Sequence, residues 1–268
     1  MTHPVFEMNV TLPRHAFSPR EVARPLEVWR AFQDVAVEAS RAAGWPPERY
    51  REVGTSFVVR AMRVVHHREV RYGEVLRAES WVSSFRGRVF SIRELRLFDD
   101  AGPVADATQD WVHVTTAPSA GKPEGSQRLR PLRAGPEMAN AFPIHQGRPS
   151  VVFPEDPVEA EVPVRDHFDT ELGCWHTWMD PLAHVNHPQY VAFCDEALSR
   201  ELFQRGHDPV RLRALAEEVT FQNGVRAPER VHVKTERRGA IFAHEISTAA
   251  GIAAKARTRR GFLSEEKG

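Results

Sequence analysis

The sequence is poor in cysteine, in net charge and in long apolar runs, and each shortage excludes a class of protein. Cys174 and Cys194 are the only cysteines among 268 residues, too few for a disulfide framework. The 36 basic and 36 acidic residues give zero formal charge, which favours neither nucleic acid nor a membrane surface. No apolar run reaches the roughly 18 residues of a membrane span, and the N-terminus does not resemble a signal peptide. We therefore expect a cytoplasmic protein with no nucleic-acid or membrane partner.

Two segments have the pattern of amphipathic helices. The first opens at Pro25 and stops near Gly44, and its apolar residues recur every three or four positions: Val28, Trp29, Phe32, Val35, Ala36 and Ala39. In the second, Asn186 or His187 can cap the helix, and Pro188 suits its first position. Its apolar residues have the same spacing: Tyr190, Phe193, Cys194, Ala197, Leu198 and Leu202. Each helix must therefore bury one face.

Strand-like stretches accompany the helices, and the order of elements occurs twice. The first half has such stretches at 6–12, 55–65, 75–85, 89–98 and 104–115. The pair Arg86-Gly87 recurs as Arg238-Gly239, and Gly102 recurs as Gly251, at offsets of roughly 150 to 160 positions. Residues 117–164 are rich in proline and glycine, which indicates a linker or crossover. These patterns predict a tandem duplication: copies at 1–125 and 165–268, with a linker at 126–164.

The two copies differ in their polar residues. In the second copy Asp180 ends a β-rich run, His184 follows four residues later, and Asn186-His187-Pro188 opens the helix. When Tyr190 is aligned with Val28, Asp180 corresponds to Ser18 of the first copy, His184 to Val22, and Asn186 to Arg24. Only the second copy therefore carries the polar set expected of an active site.

The segment Asp180-Pro-Leu-Ala-His-Val-Asn-His-Pro-Gln-Tyr190 resembles the Asp-x-x-Gly-His-Val-Asn-Asn-x-x-Tyr motif of hotdog-fold acyl thioesterases, in the acyl-ACP and 4-hydroxybenzoyl-CoA thioesterase groups. It departs from that motif at Ala183, where glycine is usual, and at His187, where the second asparagine is usual. It also has Leu182 where plant-type enzymes carry asparagine. The resemblance implies an α+β fold, a fused double hotdog in which each curved antiparallel sheet wraps one long helix.

The resemblance also implies hydrolysis of an acyl thioester, carried on acyl carrier protein (ACP) or coenzyme A, without a cofactor or metal. Asp180 is expected to attack the thioester or to activate water, and the His187 backbone N–H to bind the developing oxyanion. His184 would hydrogen-bond water or the carbonyl, and Asn186 would orient either one or cap the helix. The acyl chain is expected between helix and sheet at the junction of the copies, in a monomer or homodimer.

One acidic residue of the plant-type enzymes is missing here. It lies with a cysteine on a following strand, where our alignment places Gly224 and Val225. The matching stretch of the first copy contains Glu69, which would complete the site if the copies face each other.

Other interpretations remain open at this stage. A metal site would draw on His176, His184, His187 and the pair His66-His67, although their spacing provides no common helix face. Two basic clusters could dock a carrier protein: Arg128, Arg130 and Arg133, and Lys255, Arg257, Arg259 and Arg260. The sequence is also compatible with a polyketide- or acyl-carrier-processing enzyme of the same fold, or with a non-catalytic acyl-binding module. Asp195 and Glu196 lie inside the second helix; Asp195 is expected in solvent, and Glu196 is a weaker catalytic candidate.

Overall fold

The computed structural model describes residues 5–116, 129–146, 150–155 and 162–264. The first half contains β1 (Phe6–Thr11), α1 (Pro25–Ala42), α2 (Pro47–Glu52), β2 (Thr55–His66), β3 (Val75–Arg86), β4 (Phe90–Asp99) and β5 (Gly102–Thr115). The connecting segment contains β6 (Arg130–Pro131) and α3 (Pro136–Ala141). The second half contains β7 (His167–Gly173), α4 (Gln189–Gln204), β8 (Leu212–Phe221), β9 (Arg230–Arg238), β10 (Ile241–Thr248) and β11 (Gly251–Phe262).

All eleven strands form one antiparallel sheet with an internal repeat. The order β1-β3-β4-β5-β2 in the first half matches β7-β9-β10-β11-β8 in the second. The halves meet where β2 pairs with β8, from Ala61 opposite Thr220 to Val65 opposite Ala216. Each half thus contributes a five-stranded unit and one long helix. The α+β tandem hotdog predicted from the sequence is confirmed.

The helices bury the apolar stripes that their spacing predicts. Each of the six stripe residues of α1 and each of the six of α4 is buried, and all of them except Ala39 join one apolar core that runs through the two halves. Burying a large apolar side chain contributes about 1.5–3 kcal/mol, so these stripes fix both helices against the sheet. The predicted start of α4 is wrong by one residue: Pro188 is the N-cap residue, and no side chain caps this helix.

Glycines with positive φ mark the same turns in both copies. Gly87 and Gly239, which follow β3 and β9, have φ angles of 60° and 64°. Gly102 and Gly251, which open β5 and β11, have φ angles of 129° and 115°. Glycine adopts these conformations without the strain that a Cβ would cause. The glycine echoes in the sequence therefore correspond to equivalent turns, which supports the duplication.

The segment between the copies packs against the first one. β6 pairs with β5 at Thr115 and Val114. The Ser150 hydroxyl donates to Glu94 at 2.8 Å, and the Val151 N–H donates to the Thr108 hydroxyl at 2.7 Å. The boundary proposed at 125 lies outside the described residues, and the one at 165 precedes β7; both remain predictions. Among the described residues, no helix is long and apolar enough to cross a membrane.

Candidate active site

The polar residues of the second copy lie on a tight loop, 178–186, that leads into α4. Met179 and Val185 form an isolated antiparallel bridge, and the Asp180 N–H donates to the His184 carbonyl at 2.7 Å. Ala183 has a φ of 60°, a conformation that suits glycine better. This geometry explains why the related motif carries glycine at that position.

The first copy contains the same loop at 16–24. The Ser18 N–H donates to the Val22 carbonyl at 2.8 Å, as Asp180 does to His184. Glu21 has a φ of 57°, equivalent to Ala183. The sequence alignment of Asp180 with Ser18 and of His184 with Val22 is therefore matched by equivalent backbone hydrogen bonds. The two loops therefore follow the same backbone path but carry different side chains.

Asp180 lies half-buried at the base of its loop. Its Oδ1 accepts a hydrogen bond from the Leu182 N–H at 2.8 Å. Burial raises the pKa of Asp180 above its usual 3.8, although backbone N–H groups and His184 favour the charged form. The backbone N–H of His184 also stabilises this carboxylate. The loop therefore fixes the carboxylate through backbone N–H groups and leaves the residue only half-buried.

His184 is held in a neutral form by Arg226. An Arg226 Nη atom lies 3.2 Å from the His184 Nε2. A guanidinium only donates hydrogen bonds, so Nε2 is the acceptor and we assign the ring proton to Nδ1. Burial and the charge of Arg226 lower the pKa of His184. Arg226 was missed in the sequence analysis because it lies beyond the motif.

Gly224 leaves the space that the His184 ring occupies. A Cβ added at Gly224 would lie 2.2 Å from the Cδ2 atom of that ring. A side chain at this position, such as the acid of the plant-type enzymes, would collide with His184 as it stands. The absence of the second acid is therefore coupled to the position of the histidine.

Gly224→Ala is expected to displace the His184 ring, to lower kcat/KM about tenfold and to reduce the unfolding free energy by about 1–3 kcal/mol. Thiol-release kinetics and chemical denaturation measure the two effects. Gly173→Ala is the matched control, because an added Cβ there meets no atom within 4 Å. Wild-type kinetics in Gly224→Ala would show that the position of His184 has no influence on the reaction.

His187 is located where α4 begins, but its side chain does not cap the helix. In the described part of the chain, its backbone N–H meets no hydrogen-bond acceptor. The imidazole packs near Trp29 and Phe221, with ring centroids 6.5 Å and 6.0 Å away, and burial lowers its pKa to about 3. A free N–H at the positive end of the helix dipole suits a developing oxyanion.

Asn186 reaches across the junction instead of capping α4. Its Nδ2 donates to the Gln33 Oε1, on α1 of the first copy, at 3.0 Å. Its Oδ1 is buried and has no partner among the described groups. The capping role that the sequence favoured for Asn186 is therefore wrong, and Gln33 is a neighbour of the site that the sequence did not indicate.

Gln33→Leu is expected to lower kcat about tenfold, because the Asn186 amide would lose its acceptor and its orientation. A buried donor without a partner costs about 1–3 kcal/mol, so the unfolding free energy should also fall. Gln33→Glu keeps an acceptor oxygen at the same reach and should retain more activity than the leucine variant. Equal activity in the two variants would show that the hydrogen bond has no catalytic consequence.

Glu69 lies at the equivalent of Gly224, beside the loop of the first copy. The Ala23 N–H donates to Val70 as the Val185 N–H donates to Val225, so the residues before these acceptors correspond. An Arg20 Nη atom pairs with Glu69 at 2.5 Å, and the Arg20 Nε donates to the Val210 carbonyl at 2.8 Å. None of the described hydrogen bonds or ion pairs joins Glu69 to Asp180 or its neighbours. The structure therefore places Glu69 in an ion pair on the opposite loop.

The remaining polar candidates have structural partners. Asp195, expected in solvent, instead accepts from the buried Arg260 at 2.7 Å. Arg260 is fully buried and cannot belong to a docking surface, and Arg257 pairs with Glu155 and Glu218. Arg130 and Arg133 are exposed, and Arg128 lies outside the described residues. No group of three His, Cys, Asp or Glu residues in the described ranges is arranged to hold a metal.

Residues 5–118 match the family model of the acyl-ACP thioesterase N-terminal domain, which is less than half of the chain. No curated protein matches in sequence. The 12:0-ACP thioesterase from Umbellularia californica has a similar structure, with 16% identity, a TM-score of 0.74 and coverage of 98% of this chain and 99% of its own. An acyl-ACP thioesterase from Bacteroides thetaiotaomicron is also similar, with 12% identity, a TM-score of 0.73 and coverage of 96% of this chain and 98% of its own. A Lactobacillus plantarum protein described as an oleoyl thioesterase has 16% identity, a TM-score of 0.75 and coverage of 97% of this chain and 97% of its own.

The fold is that of a double hotdog, and together with the family match of the first copy it indicates an enzyme of the thioesterase class. The family match adds that the first copy resembles the N-terminal domain of acyl-ACP thioesterases. The resemblance stated from the sequence is thereby confirmed, and the reaction is the hydrolysis of a thioester. The interpretation as a non-catalytic acyl-binding module is not supported.

Proposed function

We propose that the protein hydrolyses acyl-ACP, with Asp180 as the general base and the His187 N–H as oxyanion donor. The observation that carries this proposal is the pairing of a half-buried carboxylate, held by backbone N–H groups, with a helix start that has a free N–H. The carboxylate would take a proton from water while the N–H stabilises the oxygen of the thioester carbonyl. The ACP carrier is supported by the family match of the first copy.

His184 and Asn186 have supporting roles in this proposal. Neutral His184 would donate from Nδ1 to the attacking water or the carbonyl, because Nε2 is held by Arg226. Asn186, fixed by Gln33, would offer its unpartnered Oδ1 to the water. We favour a general base over a nucleophile because burial raises the pKa of Asp180, which makes its carboxylate a better proton acceptor. Leu182, which replaces an asparagine of plant-type enzymes, contributes only its backbone N–H.

A thiol-release assay tests the carrier and the reaction together. The same acyl groups are presented on ACP and on coenzyme A over a panel of chain lengths, at matched concentrations. We expect free acid and thiol in equal amounts, with a higher kcat/KM for the ACP forms. Faster hydrolysis of the coenzyme A forms would contradict the carrier, and carrier-bound acyl groups consumed without release of free acid would indicate a different acyl-processing reaction.

A further inference from the structure

A buried cation without a counter-charge lies under the C-terminal half of α1. Arg93, on β4, is 7% exposed. Its Nη1 donates to the Ser80 hydroxyl at 3.0 Å, and its Nη2 lies 3.4 Å from the Ser40 hydroxyl. No described carboxylate forms an ion pair with it. Arg93 differs in this respect from Arg260, the other deeply buried arginine, which contacts two carboxylates.

The surroundings of Arg93 have unused hydrogen-bonding capacity. A guanidinium carries five N–H donors, and the two serines use two of them. The Tyr50 hydroxyl, next to Ser40 and Arg93, is buried and makes no hydrogen bond of standard geometry. Burial lowers the pKa of Arg93 to about 10, so the side chain stays charged at neutral pH. An unpaired buried charge is costly, and an anionic oxygen would offset that cost.

Arg93 lies along α1 from the proposed catalytic loop. Gln33, which contacts Asn186, and Ser40, which contacts Arg93, are seven residues apart and thus on one stripe of the helix. At 1.5 Å per residue, the distance along the axis is about 10 Å. An extended chain covers about 1.2 Å per bond, so roughly eight bonds span this distance. Ala36, between them, is small and buried.

The α1 residues at helical spacing between Gln33 and Ser40 are the apolar Ala36 and Val37. Val82 and Phe142, which lie near Arg93, belong to a separate apolar cluster, and the Arg93 guanidinium is 5.7 Å from the Phe142 ring centroid. On the stripe of α1 that leads to Ser40, Ala36 belongs to the main apolar core. A row of apolar side chains that ends at a cation and hydroxyl groups would suit a ligand with a methylene body and an oxygen-bearing tip.

We infer that Arg93, with Ser40, Ser80 and Tyr50, forms the far end of the acyl site and binds a carboxylate at the distal end of the acyl chain. The preferred substrates are then half-thioesters of dicarboxylic acids of roughly ten carbon atoms. This inference rests on the proposed function, because the acyl chain must start at the catalytic loop. It adds a substrate class that the thioesterase fold does not specify.

Binding to the full chain tests the inference separately from catalysis. In an Asp180→Asn background, calorimetry compares the coenzyme A thioester of a ten-carbon dicarboxylic acid with decanoyl-CoA. We expect the carboxylated thioester to bind at least tenfold more tightly. Equal affinities would overturn the inference, whereas a preference without thioester hydrolysis by the wild-type enzyme would refute only the proposed function.

Arg93→Met removes the charge and keeps much of the length of the side chain. It should abolish the preference and change decanoyl-CoA affinity less than twofold. Arg96→Met is the matched control on the same strand, where Arg96 pairs with Asp106, and should keep the preference. If Arg93→Met does not fold, Arg93→Lys, which keeps the charge, should retain part of the preference. Equal weakening of both ligands by either Arg93 variant would show a structural role and overturn the inference.

Discussion

Replacing Asp180 by asparagine is expected to lower kcat for thioester hydrolysis by about 10³-fold, the size of effect typical of a positioned general base. Asparagine keeps an oxygen that accepts from the Leu182 N–H, so the loop should retain its course. It removes the group that accepts the proton from water. Thiol release measures kcat, and calorimetry with an unreacted acyl thioester should give a dissociation constant close to that of the wild type.

The pH dependence of the wild type provides a second measurement for Asp180. A general base acts in its charged form, so kcat/KM should fall as pH decreases through the pKa of this carboxyl. Burial raises that pKa above the usual 3.8, and the acid limb should therefore lie above that value. The Asp180→Asn variant should lack the limb. An unchanged acid limb in the variant would assign the titration to another group.

Glu217→Gln is expected to lower the unfolding free energy by about 3–5 kcal/mol, the range observed when one partner of a buried ion pair is removed. Glu217 is fully buried at the junction of the copies. Its carboxylate contacts Arg260 at 2.6 Å and His66 at 2.7 Å, and accepts from the Trp29 Nε1 at 3.1 Å. These partners lie on α1, β2 and β11, so the variant weakens the contact between the copies as well as the charge balance of Arg260.

The pH dependence of stability identifies the charge of Glu217 as the cause. Burial alone would raise the pKa of Glu217, but the charges of His66 and Arg260 and the hydrogen bonds to it lower the value from 4.5 to about 2. A carboxyl with a lowered pKa in the folded state stabilises above its unfolded pKa, and this contribution disappears as pH falls from about 4.5 to about 2. The difference between wild type and variant should shrink in that window.

Chemical denaturation at pH 7 and at pH 3 measures this difference. The difference between wild type and variant isolates the contribution of Glu217 to the pH dependence, because Asp195, whose pKa is raised by burial, is present in both proteins. Glu218→Gln is the matched control, because Glu218 is partly exposed and pairs with Arg257, where ion pairs contribute about 0–1 kcal/mol. A loss below 1 kcal/mol at pH 7, or a loss that is the same at both pH values, would contradict the structural role of the network.

The fold was predictable from the sequence because it depends on local patterns that occur twice. Helical spacing identified the buried residues of both helices, and the glycine echoes identified equivalent turns. The alignment of Ser18 with Asp180 placed the loops in register, since it depends only on the distance to the helix. Periodicity and spacing report such short-range features directly.

Contacts across the copies could not be predicted in the same way. Gln33 meets Asn186, and Arg20 meets the Val210 carbonyl, only because the duplicated units face each other in one particular arrangement. A charged side chain on a helix is normally exposed to solvent, but β11 places Arg260 next to Asp195. The role of Gly224 also depends on three dimensions, because only the fold brings it against the His184 ring.

The most direct measurement compares the two loops in one assay. The kcat for thiol release from a single acyl-ACP is determined for wild type, Asp180→Asn and Ser18→Ala, the last at the equivalent position of the first copy. If loop 178–186 carries the chemistry, the first variant loses about 10³-fold and the second stays within about twofold of wild type. Wild-type turnover in Asp180→Asn, or an equally large loss in Ser18→Ala, would contradict that assignment.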